Sequence, residues 1–201
     1  MTDILSTEPI TPTTTPARTT GADRRHTAID ALMTAVDALG ASTGPHVEHT
    51  SVVLGEERHI VPLVGGLHAV NADLWDAEDE ARRPGADDSA VAAAKRRIDR
   101  LNLRRHAFAE AVDDWVFAAV PMSPTAELHT EAIGIVVDRL SVLTLREAHY
   151  RRGGSGTEGV LVNVRRQRGD LLGALATLLR QCADGQRRVQ LYRAHKAYGR
   201  G

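Results

Sequence analysis

The residues of this chain best suited to chemistry lie in or beside apolar helical seams, where leucine is the usual occupant. In the run NADLWDAEDEARR, Asn71, Trp75, Glu78 and Arg82 recur at spacings of four, three and four, which sets them on one side of an α-helix. A carboxyl held beside an indole can exchange a proton with a bound molecule as general acid or base. Glu78 is the first candidate for that role and Asp79 the second. Neighbouring side chains on a helix diverge by about 100°, so spacing alone does not bring both to one site. Asp79 also has the spacing to pair with Arg82 or Arg83. The structural alternative for Glu78 is a buried pair with Lys95 or Arg105 of the following helix.

Two further runs repeat the pattern. In VAAAKRRIDRLNLRRHAFAEAVDDW a seam of Val91, Ala94, Ile98, Leu101, Phe108, Val112 and Trp115 takes in Lys95, Asn102 and Arg105. A desolvated lysine can act as a base or form a Schiff base, but Asp99 stands one turn from Lys95 and favours an ion pair. In IGIVVDRLSVLTLREAHY, Asp138 and Arg139 sit together in an apolar stretch, reach opposite neighbours, and with Arg105 complete a balanced charge lattice. His149 follows Asp138 by eleven residues, about three turns along the same face, and belongs at a site's mouth or at a helix end where it offsets the dipole. Burying such groups costs several kcal/mol unless they are paired or functional, roughly speaking. The set is therefore either an internal salt-bridge lattice or the lining of a site. Asn71, Trp75, Asn102 and Arg105 are the members best suited to orient and wall in a polar or anionic small molecule, with Arg82, Lys95, Asp138, Arg139 and His149 in support.

Other candidates carry less. Glu56 and His59 have the ExxH spacing of di-metal bundles and His46 and His49 are a possible chelating pair, but all four fall in an irregular stretch, so no metal site is expected. The loop Gly153–Gly159 lacks the GK[ST] of a phosphate-binding loop. Arg187, Arg188, Tyr192, His195, Lys196 and Tyr198 form a basic terminal strip able to hold a phosphate or carboxylate, or simply solvated charge. The single cysteine, Cys182, excludes an intramolecular disulfide and reads as a small buried hydrophobe.

The elements that must position these residues are helices. Residues 1–25 are rich in Thr and Pro and read as a disordered tail. A helical face of Ile29, Leu32, Met33, Val36 and Leu39 opens a single domain over 26–201, interrupted by an irregular connection at 41–60. Four long helices follow: about 61–83, stopped by Pro84; 87–120, stopped by Pro121; Ser123 to Arg152, with Pro124 in its first turn; and about 160–185, with a strong leucine seam from Leu171 to Leu179. A short terminal helix over 187–198 closes the chain. No run alternates as a sheet does, so the fold class is all-α: an antiparallel helical bundle of about four long helices plus shorter N- and C-terminal helices.

With 25 basic and 26 acidic residues the net charge is −1, so no overall field draws nucleic acid or membrane. Aromatic residues are 3% of the chain, which disfavours base stacking. No apolar run reaches the roughly 20 residues of a spanning helix, and the expected setting is the cytoplasm. The leucine seam suggests a homodimer.

Five motifs carry a resemblance: N-A-D-L-W-D-A-E-D-E-A-R from Asn71, K-R-R-I-D-R-L-N-x-R-R from Lys95, V-V-D-R-L-S-V-L from Val136, R-Q-R-G-D-L from Arg166, and Y-R-A-H-K-A-Y from Tyr192. In order and spacing they resemble the DUF4254 family of helical domains over about Leu63 to Tyr198. The resemblance implies a biosynthetic setting, since members tend to occur beside glycan-assembly and natural-product genes. The chain departs from the family's usual residues at Asp76, at His106 and Ala107, and in its GRG ending. The expectation is a cofactor-independent biosynthetic enzyme with its pocket between the helices of Asn71–Arg82 and Lys95–Arg105. The alternative is a non-catalytic scaffold within a biosynthetic assembly, which calls for closed helices and no cavity of ligand size.

Overall fold

The computed structural model describes residues 20–40, 59–154, 156–191 and 193. Five helices make up almost all of it: α1 (Gly21–Ala38), α2 (Ile60–Ala81), α3 (Asp88–Ala119), α4 (Ile133–Arg152) and α5 (Glu158–Ala183), with two short strands, β1 (Glu127–Leu128) and β2 (Arg187–Arg188). The all-α bundle expected from the sequence is therefore the observed class. Cross-contacts give its directions. Arg105 of α3 meets Asp138 of α4 while Asp113 of α3 meets Gly134, and Glu147 of α4 meets Arg165 of α5 while Thr144 meets Arg168. Both pairings run in opposite senses along the chain, so α3, α4 and α5 are successively antiparallel.

Local chemistry sets the helix ends. Thr20 and Asp23 form a reciprocal capping box at the start of α1, satisfying backbone donors that the first turn leaves open. This places the start of α1 at Gly21, inside the stretch assigned to the tail. Asp87 caps α3, its carboxylate accepting from the Ala90 N–H at 2.7 Å. Gly85 between α2 and α3 has φ +79°, a conformation open to glycine at little cost.

The main core joins all five helices. Leu32, Leu67, Leu140, Leu175 and Leu179 are each at most 1% exposed, and burial of one such side chain stabilises the fold by about 1.5–3 kcal/mol. Leu175, Leu178 and Leu179 belong to this core, and Leu171 and Leu172 pack on it. The leucine seam is thus packed largely within the chain, with Leu171 and Leu172 partly exposed. A smaller cluster of Val70, Leu74, Ala77 and Leu101 joins α2 to α3, and the cleft described below opens beside it.

Two expectations need correction. The third long helix starts at Ile133, not at Ser123. Residues 123–132 instead carry β1, whose Glu127 and Leu128 pair in parallel with Arg187 and Arg188 of β2, and Arg188 Nε donates to the Ala126 carbonyl at 3.1 Å. Tertiary pairing takes the backbone groups that a helical turn would have used. The same pairing overturns the terminal helix: residues 187–188 are extended and 189–191 carry no helix, and Val189 is buried in the core. Tyr192, His195, Lys196 and Tyr198 lie outside the described residues.

One cap is supplied from a distance. Ala132, at the start of α4, has no side chain able to cap, and Asp113 of α3 reaches across to accept from the Gly134 N–H at 2.7 Å. Gly134 permits this approach, because a methyl group there would collide with the Ala109 carbonyl. Asp113 is 6% exposed. Burial pushes its carboxyl up to about 6, helped by the charges of Asp114 and Glu110, against the lowering effect of the Gly134 and Ile133 N–H groups.

Candidate functional site

A cleft of about 320 Å³ opens between α2, α3 and α4. α2 contributes Asn71, Leu74, Trp75, Glu78, Asp79 and Arg82 to its walls, α3 contributes Asn102 and Arg105, and α4 contributes Val142 and Leu145. The spacing of Asn71, Trp75, Glu78 and Arg82 does set them on one side of α2, and that side faces the opening. Asp79 lines it too, because the cleft is wide enough to take residues about 100° apart.

The floor is a buried polar network. Asn71, 4% exposed, donates through Nδ2 to Asp138 Oδ1 at 2.9 Å and to Ser141 Oγ at 3.0 Å. Ser141 is wholly buried and meets His68 Nδ1 at 2.9 Å. Desolvation holds His68 below its ordinary 6.5, which favours a neutral ring; the tautomer sets which of Nδ1 and the Ser141 hydroxyl donates. Arg105 Nε lies 3.8 Å from Asp138, and the charge of this half-buried guanidinium balances the carboxylate beneath it.

The rim is more open. Arg82 pairs with Glu78 at 2.6 Å and also donates to the Glu78 carbonyl at 3.4 Å. Glu78 therefore pairs within α2 and not with Lys95 or Arg105. Asp79 pairs with neither Arg82 nor Arg83, since Arg83 faces Glu80 at 3.9 Å. The Trp75 ring packs on His149 with centroids 5.2 Å apart, and His149 meets Tyr150 edge-on. His149 thus sits behind the indole that walls the cleft.

Lys95, Asp99 and Arg139 are elsewhere. Lys95 and Asp99 are exposed on α3, and no ion pair joins them. Neither lines the cleft. Arg139 forms a forked pair with Glu131 at 2.6 and 2.7 Å on the surface. It leaves Asp138 to Asn71 and Arg105, as adjacent helical positions require. Of the lattice foreseen among Arg105, Asp138 and Arg139, the Arg105–Asp138 pair is present and Arg139 turns to Glu131 instead.

His68 and Ser141 were missed by the sequence reading. Both had a helical signal: His68 precedes Asn71 by three residues and Ser141 follows Asp138 by three, one turn along the same faces. Of the basic strip, Arg187 pairs with Glu127 at 3.4 Å and Arg188 is held by Ala126, so both are engaged in the fold. His46, His49 and Glu56 lie outside the described residues, and His59 precedes α2 as its N-cap. Among the described residues no three His, Cys, Asp or Glu side chains gather as a metal-binding group. Among the same residues no helix is long and apolar enough to cross a membrane.

The arrangement can grip a small molecule. Asp79 and Asn102 make no hydrogen bond within the described protein through their side chains, and Arg105 uses only Nε in its ion pair. A carboxylate, an amide and a guanidinium are thus available around a flat aromatic wall. No curated protein and no solved structure matches the chain. The DUF4254 family of proteins of unknown function matches over residues 62–191, from the first turn of α2 to just past β2, and the chain belongs to this family.

Proposed function

We propose that the chain is a biosynthetic enzyme that carries out cofactor-independent acid-base chemistry on a polar small molecule held in the cleft between α2, α3 and α4. The observation that carries this reading is convergence. Seven of the residues singled out from the sequence, Asn71, Trp75, Glu78, Asp79, Arg82, Asn102 and Arg105, border one opening of about 320 Å³. That volume falls in the range of small-molecule sites, about 300–1,000 Å³. Glu78 is the acid-base residue of the proposal. Its partner Arg82 lies 2.6 Å away, and the pair is open enough for a bound molecule to displace the guanidinium and meet the carboxyl. Asp79 is the second candidate, Trp75 the wall, and Asn102 and Arg105 orient the molecule.

The scaffold alternative calls for closed helices, and the cleft counts against it. The buried network of Asn71, Asp138 and Ser141 is compatible with either reading, since it both joins α2 to α4 and forms the cleft floor. Asp76, His106 and Ala107, where the sequence departs from the family's usual residues, are exposed, and none lines the cleft. The proposed chemistry does not call on them.

The test is conversion. Polar extract of the source cells is incubated with the wild type and with Glu78→Gln, and small molecules are compared by mass spectrometry. The wild type is expected to consume at least one species that Glu78→Gln leaves intact while keeping its fold. Equal conversion by both proteins would remove Glu78 from the mechanism.

A further inference from the structure

The floor of the cleft fixes which face of the Asn71 amide a bound molecule meets. Both hydrogens of Asn71 Nδ2 are directed inward, one to Asp138 Oδ1 and one to Ser141 Oγ. A carboxylate only accepts hydrogen bonds when ionised. A turned amide would set its oxygen against Asp138 Oδ1 and leave two acceptors facing each other. The Ser141 oxygen accepts the second Nδ2 hydrogen at 3.0 Å, while Asp138 alone dictates the sense of the amide. Asn71 Oδ1 makes no hydrogen bond within the described protein, yet no buried side-chain oxygen or nitrogen there lacks a partner. That oxygen is therefore open to the cleft that Asn71 lines.

The charges around the opening point the same way. Glu78 and Asp79 balance Arg82 and Arg105 along the walls, and Asp138 beneath them adds one further negative charge. This is a poor setting for a dianion such as a phosphate ester, and a good one for a molecule rich in hydrogen-bond donors.

Resting on the cleft reading above, we propose that Asn71 is a specificity-determining residue whose outward Oδ1 selects a ligand bearing a hydroxyl or amine at that point, over one bearing a carbonyl or phosphate oxygen. Asp138 acts as the positioning group that locks the amide in this sense. A ligand acceptor placed there would face the Asn71 oxygen without a proton between them, which leaves both groups desolvated and unpaired.

The test uses matched probes. Cyclohexanol and cyclohexanone share a ring that fits beside Trp75 and differ in whether the oxygen can donate. Each is titrated to tens of millimolar into the isotopically labelled full chain, followed at the Trp75 indole and Asn102 amide signals. The wild type is expected to bind cyclohexanol about five- to tenfold more tightly than cyclohexanone, the usual worth of one hydrogen bond. Asp138→Asn removes the lock without changing shape, so the amide can turn and the ratio should fall toward one. Ser141→Ala keeps the carboxylate and should keep the preference. In the free wild type both Asn71 side-chain protons should exchange slowly with water, a readout that needs neither probe nor variant. Equal binding of the two probes by the wild type, or fast exchange of both protons, overturns this inference and leaves the cleft reading standing. Binding of neither probe at the cleft contradicts the site reading itself.

Discussion

Asp113 offers the sharpest quantitative prediction, because one carboxyl both caps α4 and carries a charge away from water. A shift from 3.8 to about 6 on folding corresponds to a cost on the order of 3 kcal/mol at neutral pH. The sign follows from proton binding. Between 3.8 and about 6 the folded chain holds more protons at this group than the unfolded chain, so its contribution to stability improves as pH falls through that window and is constant above it. Asp113→Asn removes the charge and retains an oxygen to accept from the Gly134 N–H. Asp113→Ala removes both. Denaturant unfolding at several pH values is the assay. Asp113→Asn should be more stable than the wild type by about 1–3 kcal/mol near neutral pH, with the advantage fading toward pH 4. It should also exceed Asp113→Ala by about 1–3 kcal/mol at every pH, because only Ala leaves a buried N–H unsatisfied. If the difference between wild type and Asp113→Asn does not vary with pH, the desolvation account fails. If the two variants are equally stable, the capping account fails.

Two other predictions concern the same frame. Gly134→Ala should destabilise the fold by about 2 kcal/mol or more, since its methyl group meets backbone of α3 at Ala109 and not a side chain free to move; a thermal melt unchanged from the wild type would contradict that crossing. His68 is held below 6.5, so the unfolded chain takes up its proton first and stability from this group is lost as pH falls below 6.5. This is opposite in sign to Asp113. His68→Gln should lose that acid-side decline, and a variant with the wild-type profile would show that the ring is not the group responsible.

Much of the architecture was legible because helical periodicity and capping residues are local. The two-turn spacing of Asn71, Trp75 and Glu78 located one cleft wall, and the pair Asp87 and Asp88 marked the start of α3, with Asp87 as the cap. The failures came where a distant residue decided the outcome. Ser123 and Pro124 have the form of a helix start, but the cap that α4 uses comes from Asp113, about twenty residues earlier in the chain. Residues 187–188 were read as helical because their strand partner, Glu127–Leu128, lies some sixty residues away. In the site, the misplaced residues were charged side chains whose partners could not be read from their own helix. Arg139 is turned outward by Glu131, while Asp138 one residue earlier is drawn inward by Asn71. Ser141 and His68 escaped notice because a serine and a histidine in a helix have ordinary surface uses, and only burial against Asn71 gives them a place in the floor.

The central claim is that the cleft lined by Asn71, Trp75, Asn102 and Arg105 holds a small molecule. The most direct measurement is affinity selection: the full chain is equilibrated with polar cell extract, separated rapidly from unbound material, and its retained molecules are identified by mass spectrometry beside Trp75→Ala and Asn102→Ala proteins of unchanged helicity. The account predicts a retained species rich in hydroxyl or amine groups that both variants release. Retention of nothing by the wild type, or equal retention by all three proteins, would contradict it.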